Sequence, residues 1–195
     1  MPDRIALQQF VDAFPPDAGT RVPTDPFLTY GEGHVPDALV ELWRTHGLGW
    51  YGNQRIALVD PGEWMSTLQT WFGNEVGSFP IAVTSFGHVY HYDRPGGRDR
   101  IQCLDPHFQN NQVVSDDIVD FFNSHLTGNN SHPADLHALH NASRDAKGDL
   151  GENEIYYFDP MLAMGGQVRI ENLQKGDGPR HLAEIHRAVG ARAGA

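Results

Sequence analysis

The sequence predicts an α+β fold: a mostly antiparallel, twisted sheet covered by helices, with a smaller C-terminal helix-strand-helix part. Two observations carry this. Helical periods and alternating, strand-like stretches are mixed along the chain, without the regular strand–helix–strand alternation of a parallel sheet. The clearest strands are joined by a turn rich in glycine and proline, as in "HVYHYDRPGGRDRIQCLD", which is how hairpins are written. With 195 residues the chain suits one domain, or one domain with a small appended lobe, and can bury a core without staples.

The elements follow in order. "IALQQFVDAF" sets Ile5, Leu7, Phe10, Val11 and Phe14 at helical spacing, and Pro15 and Pro16 end it. "PPDAGTRVPTDPFLTYGEG" reads as a surface loop. "VPDALVELWRTHGLG" is the clearest helix. Pro36 suits its first turn, Leu39, Leu42 and Trp43 form the buried stripe, and Gly47 ends it. "RIALVDP" is a short strand stopped by Pro61. A helix with Trp64, Leu68, Trp71 and Phe72 in register follows. "IAVTSF" and "HVYHYD" are strand halves around a bend or tight turn at Gly87, and "RIQCLD" is the returning strand. A short strand then leads to a helix capped by Ser115, with Asp116 and Asp117 in its first turn. "TGNNSHP" is the best internal boundary, and the expected units are residues 1–127 and 132–190. In the second unit a polar helix, the strand "NEIYYFDPML", a loop with a short strand or turn, and the helix "HLAEIHRAV" are expected.

Composition limits the function classes. Asp and Glu number 25 against 14 Lys and Arg, a formal net charge of −11. Such a field repels nucleic acid and anionic membranes and attracts a basic partner. It equally serves plain solubility. Cys103 is the only cysteine, so neither an intramolecular disulfide nor a thiolate zinc set is expected; its apolar strand context predicts an inert buried thiol. The N-terminus lacks the pattern of a secretory signal, and no stretch approaches the roughly 20 apolar residues of a membrane span. A cytoplasmic protein is the expectation.

Eleven histidines invite a search for a metal or catalytic site. In a strand, residues two apart share a face, so His88 lies with Tyr90 and Tyr92 while His91 lies with Val89. These two histidines diverge and do not form a pair. His137 and His140 share a face of a predicted helix, and His132, His181 or His186 would have to complete a zinc site, which the spacing does not require. No H-E-x-x-H, no G-x-S-x-G and no dinucleotide or phosphate-loop fingerprint occurs. No cofactor, metal or catalytic residue is therefore assigned.

Three phrases stand together in an order that resembles a known family. They are "YGEGHVPDALVELWRTHGLGWYGNQRIALVDPGEW", "PIAVTSFGHVYHYD" and "NEIYYFDPMLAMGGQVRIENLQKGDGPRHLAEI". The first carries Tyr30, Gly31, Pro36, Leu42, Trp43, Gly47, Asp60 and Pro61, the second Phe86 and Gly87, and the third Tyr156, Phe158, Pro160, Gly165, Gly166 and His181. Over about residues 20–190 the chain resembles the GAD-like domain and the C-terminal segment found with it. The resemblance implies an immunity protein of a type VI secretion system that neutralises a DNase effector.

On that reading the protein is a binding module, not an enzyme. It would occupy the nuclease domain of a cognate toxin through complementary charge, with no direct contact to nucleic acid or membrane. The candidate contacts are acids near turns and helix starts: Asp93, Asp116, Asp117, Glu152 and Glu154. Gly165 and Gly166 join them, because glycine lets a backbone approach closely. A metal-dependent or histidine-based hydrolase, or a regulatory scaffold domain, are the alternatives.

Overall fold

The computed structural model describes residues 5–128 and 136–193. Its centre is a six-stranded sheet of β1 (Gly49–Tyr51), β2 (Ile56–Leu58), β3 (Phe79–Thr84), β4 (Val89–Asp93), β5 (Arg100–Asp105) and β6 (Asn110–Ser115). Each strand pairs antiparallel with the next, so spatial order follows chain order. Helices cover this sheet, as the sequence predicts.

Both faces are buried, which explains why β3 and β4 are almost continuously inaccessible to solvent. Tyr90, Tyr92, Ile101 and Cys103 point into one core layer. There they meet α1 (Gln8–Ala13), α2 (Asp25–Gly31), α3 (Asp37–His46) and α5 (Ile118–Asp120), which runs on into a π-helical turn at Phe121–His125. Val83, Val89 and Leu104 point into the other layer, against α4 (Pro61–Phe72), β7 (Glu154–Phe158), β8 (Leu173–Asp177) and α7 (Gly178–Ala193). The period-two alternation of the strands thus feeds two cores.

Local chemistry explains the boundaries. In α3, Leu39, Leu42 and Trp43 are buried, and Gly47 closes the helix with φ +88. Helix α4 starts on Asp60, whose carboxylate accepts from the Gly62 amide at 2.8 Å, with Pro61 at its first position. The β3–β4 hairpin turns at Gly87, with φ +80. A Cβ there would lie 2.7 Å from Ile155 Cδ1. The turn therefore needs glycine twice, for its left-handed backbone and for the close approach of β7. The Tyr156 amide donates to the Ser85 carbonyl at 2.7 Å and fastens β7 to that turn.

Three expectations need correction. Residues 25–31, read as loop, form α2: Pro26 lies in the first turn of the helix and starts it where a breaker was expected. Strand β1 was missed because three residues show no period, although Trp50 and Tyr51 enter opposite cores. The cap of α5 is Asp117, whose side chain accepts from the Asp120 amide at 2.8 Å, while Ser115 donates to the Asp117 carbonyl. In the C-terminal part the short strand, one of the two readings left open after β7, is present as β8 and pairs antiparallel with β7; in β8 only Leu173 is buried, so its sequence carries a weak strand signature. Helix α6 (His140–Lys147) follows a 3₁₀ turn at Leu136–Leu139.

Candidate partner-binding surface

Most of the described histidines are buried or packed against aromatic rings and hydrogen-bonded within the fold. His88 bonds Thr84 Oγ1 through Nδ1 at 3.0 Å and faces Asp105 Oδ2 at 3.7 Å. Thr84, His88 and Asp105 are all buried, so this relay-like row lies sealed under the β3–β4 turn. His91 bonds Ser78 and Asn111, each at 3.0 Å, a set separate from that of His88. His140 joins Ser85 Oγ to the Asn53 carbonyl and pins α6. His181 stacks on Tyr157 with ring centres 3.8 Å apart, and His186 lies edge-on to Trp71. His132 and the side chain of His137 lie outside the described residues. Among the described residues, no three His, Cys, Asp or Glu are arranged to hold a metal ion. Cys103 is buried in β5.

Solvent exclusion is the main influence on the buried histidines that shift. Burial and the neighbouring His88 push the His107 pKa down to about 4, against a bond from His107 Nε2 to the Phe86 carbonyl at 2.7 Å. Burial lowers His91 and His181 as well. At Asp105 burial pushes the pKa up, but His88 and the Phe108 amide outweigh it and hold the carboxylate below its usual range.

The sequence-selected acids fall into two groups. Asp93 is held by both the Nε and Nη2 of Arg100, with Nε–Oδ1 at 2.8 Å. Asp116, exposed just past β6, lines a shallow cleft with Arg94, Arg98, Arg100 and Val113. Asp117 caps α5 beside it. Glu152 pairs with Arg21, and Glu154 accepts from the Gly151 amide and faces Lys175 at 3.4 Å. This second group lies by β1, because Arg21 bridges to Leu48 and the Trp50 indole donates to the Gly151 carbonyl. Asp116 and Asp117 therefore sit past the β6 edge of the sheet and the second group by its β1 edge, with Asp93 between them on the interior strand β4. Gly165, with φ +92, ends a 3₁₀ turn and has open space where a Cβ would be. At Gly166 a Cβ would lie 1.8 Å from the Pro160 carbonyl oxygen, so the close approach it permits is to this chain's own backbone.

A further concave site was not legible in the sequence. Helices α2, α3 and α4 and the start of β3 enclose a groove of about 330 Å³, lined by Phe27, Tyr30, His34, Val35, Trp43, Met65 and Phe79 together with Asp60. Tyr30 is 56% exposed and stacks on His34, with centroids 4.1 Å apart; the His34 Nδ1–H donates to the Tyr30 carbonyl at 2.7 Å. Gly31 lets α2 close on Trp43, since a Cβ there would meet Trp43 Cζ3 at 3.0 Å. The Asp60 Oδ1 is engaged by the helix cap and Oδ2 is its second acceptor. Its one local signal in the sequence is the Tyr30-Gly31 pair.

Comparison with known proteins places this geometry. The family model described as GAD-like domain matches residues 5–104. The model described as T6SS immunity protein Tdi1, C-terminal, matches residues 115–186. The chain belongs to the GAD-like family of type VI secretion immunity proteins. The fold of this immunity protein is similar to that in a crystal structure of Atu4351 from Agrobacterium tumefaciens. The TM-score is 0.74 at 13% identity, over 93% of this chain and 88% of that one. No curated protein sequence matches the chain. Among the described residues, no helix of the immunity protein is long and apolar enough to cross a membrane. Its groove lies within the GAD-like part, and Asp117 and both glutamates lie within the Tdi1-type part.

Proposed function

We propose that this immunity protein neutralises a cognate type VI secretion toxin by binding its nuclease domain and covering the surface that would hold DNA. The observation that carries the reading is the match to the C-terminal model of a type VI secretion immunity protein, which follows a GAD-like match on the same chain. The physical support is charge. A nuclease surface that holds DNA is basic, and a net charge of −11 on the inhibitor accelerates encounter and disfavours neutral or acidic partners. Binding of this kind needs no cofactor and no catalytic group of the inhibitor.

The acids take unequal parts. Asp116 and Asp117 are exposed and face outward past β6, where they can meet a cationic partner directly. Asp93, Glu152 and Glu154 already hold Arg100, Arg21 and Lys175. Their worth at an interface is smaller, because a partner must first displace a local ion pair. Gly165 offers open backbone to an approaching chain, whereas Gly166 serves its own loop.

The test is co-expression of the toxin encoded beside this chain, with and without the immunity protein, following survival and chromosomal DNA. Protection with intact DNA and a co-purifying complex is expected. Degraded DNA in cells that contain both folded proteins would refute the reading.

A further inference from the structure

We propose that the groove between α2, α3 and α4 is the socket for one long cationic side chain, arginine or lysine, of the toxin. This deepens the preceding reading and rests on it. The walls are apolar and largely aromatic, with Phe27, Tyr30, Trp43 and Phe79 prominent. Asp60 is the one carboxylate among the lining residues. Among the described residues it has no ion-pair partner, and its recorded bond is the one that Oδ1 accepts from Gly62. An apolar trough with a single carboxylate is what a long cation fits: its methylene stem lies on the walls while its head keeps a polar partner. Aromatic faces add attraction for the head. An uncharged aliphatic side chain would fill the trough but leave the carboxylate desolvated and unpaired.

Two features suit the site to recognition. The Tyr30 ring is both exposed and braced on His34, so little side-chain freedom is lost when a partner covers it. Exposed Asp25 and Asp37 begin two of the three helices that wall the groove, so its approach carries the sign that attracts a cation. The toxin side of the contact is supplied by the same basic surface that would hold DNA, which ties occupation of the socket to loss of DNA binding.

The experiment measures affinity for the purified nuclease domain of the toxin encoded beside this chain. The variants are Asp60→Asn, which keeps a capping oxygen for Gly62 but no charge, and Tyr30→Ala at an exposed position. Each should weaken binding about 30-fold or more, the usual mark of a central contact, with an unchanged melting temperature. Tyr30→Phe should bind like the parent, as should Asp145→Asn on the exposed side of α6. A glutamate scan of the toxin's surface arginines and lysines should find one position whose loss is partly restored by Asp60→Lys. Parental affinity in both Asp60→Asn and Tyr30→Ala would overturn the socket and leave the toxin reading standing, as would a scan without any restored pair. Absence of binding by the parent protein would overturn both. If Asp60→Asn fails to fold, Tyr30→Ala and the scan decide.

Discussion

Replacing Gly87 by alanine tests how the C-terminal part is docked on the sheet. Gly87 turns the β3–β4 hairpin with φ +80, and a Cβ there would meet Ile155 Cδ1 at 2.7 Å and Leu182 Cδ1 at 3.1 Å. The left-handed backbone costs an alanine roughly 1–2 kcal/mol. The two methyl ends can turn aside, but both residues are buried, so the displacement passes to their neighbours at about 1–2 kcal/mol. The sum is about 2–4 kcal/mol, against a typical total of about 5–15 kcal/mol. Gly97 supplies a matched control: its φ is +81, yet nothing lies within 4 Å of the added Cβ. Gly97→Ala isolates the backbone part. At about 2–4 °C per kcal/mol for a chain of this size, thermal unfolding by circular dichroism should fall by about 5–15 °C for Gly87→Ala and by about half that or less for Gly97→Ala. Equal losses in the two variants would refute the packing of β7 and α7 on the Gly87 turn.

Two further outcomes follow from the core. Trp43→Ala should cost roughly 3–5 kcal/mol, because Trp43 is 1% exposed and packs on Phe27 and Gly31; a melting temperature equal to the parent's would contradict its place in α3. Stability should also fall with acid. The unfolded chain protonates His91, His107 and His181 near pH 6.5, whereas burial lowers all three in the folded state, His107 to about 4. The contribution is complete above about pH 6.5 and is lost as pH falls toward 4, by up to about 1.4 kcal/mol per pH unit for each displaced histidine. A melting temperature constant between pH 7.5 and pH 5 would contradict it.

Helices α3 and α4 were legible from their apolar spacing, and α3 also from Pro36, which stands at its N-cap, and from Gly47, which closes it. Helix α2 was not, because Pro23, Pro26, Gly31 and Gly33 read as breakers until Pro26 is seen in a first turn. Strand β8 carries one buried residue, and its strand character comes from pairing with β7, a tertiary cause. The site was legible as residue types only. Which acids are already neutralised depends on Arg21, Arg100 and Lys175, and Arg21 meets Glu152 only in the folded chain. The groove joins three helices and the first residue of β3, so no local window of sequence contains it. Gly166 shows the same limit: a glycine marks a close approach without telling whose backbone approaches.

The proposed occupation of a nuclease is tested most directly by DNA cleavage with the purified nuclease domain of the cognate toxin as this protein is titrated in. Cleavage should fall in proportion to added protein and end near equimolar ratio, with association slowed by salt more than dissociation is accelerated. Undiminished cleavage at a large excess of folded protein would contradict it.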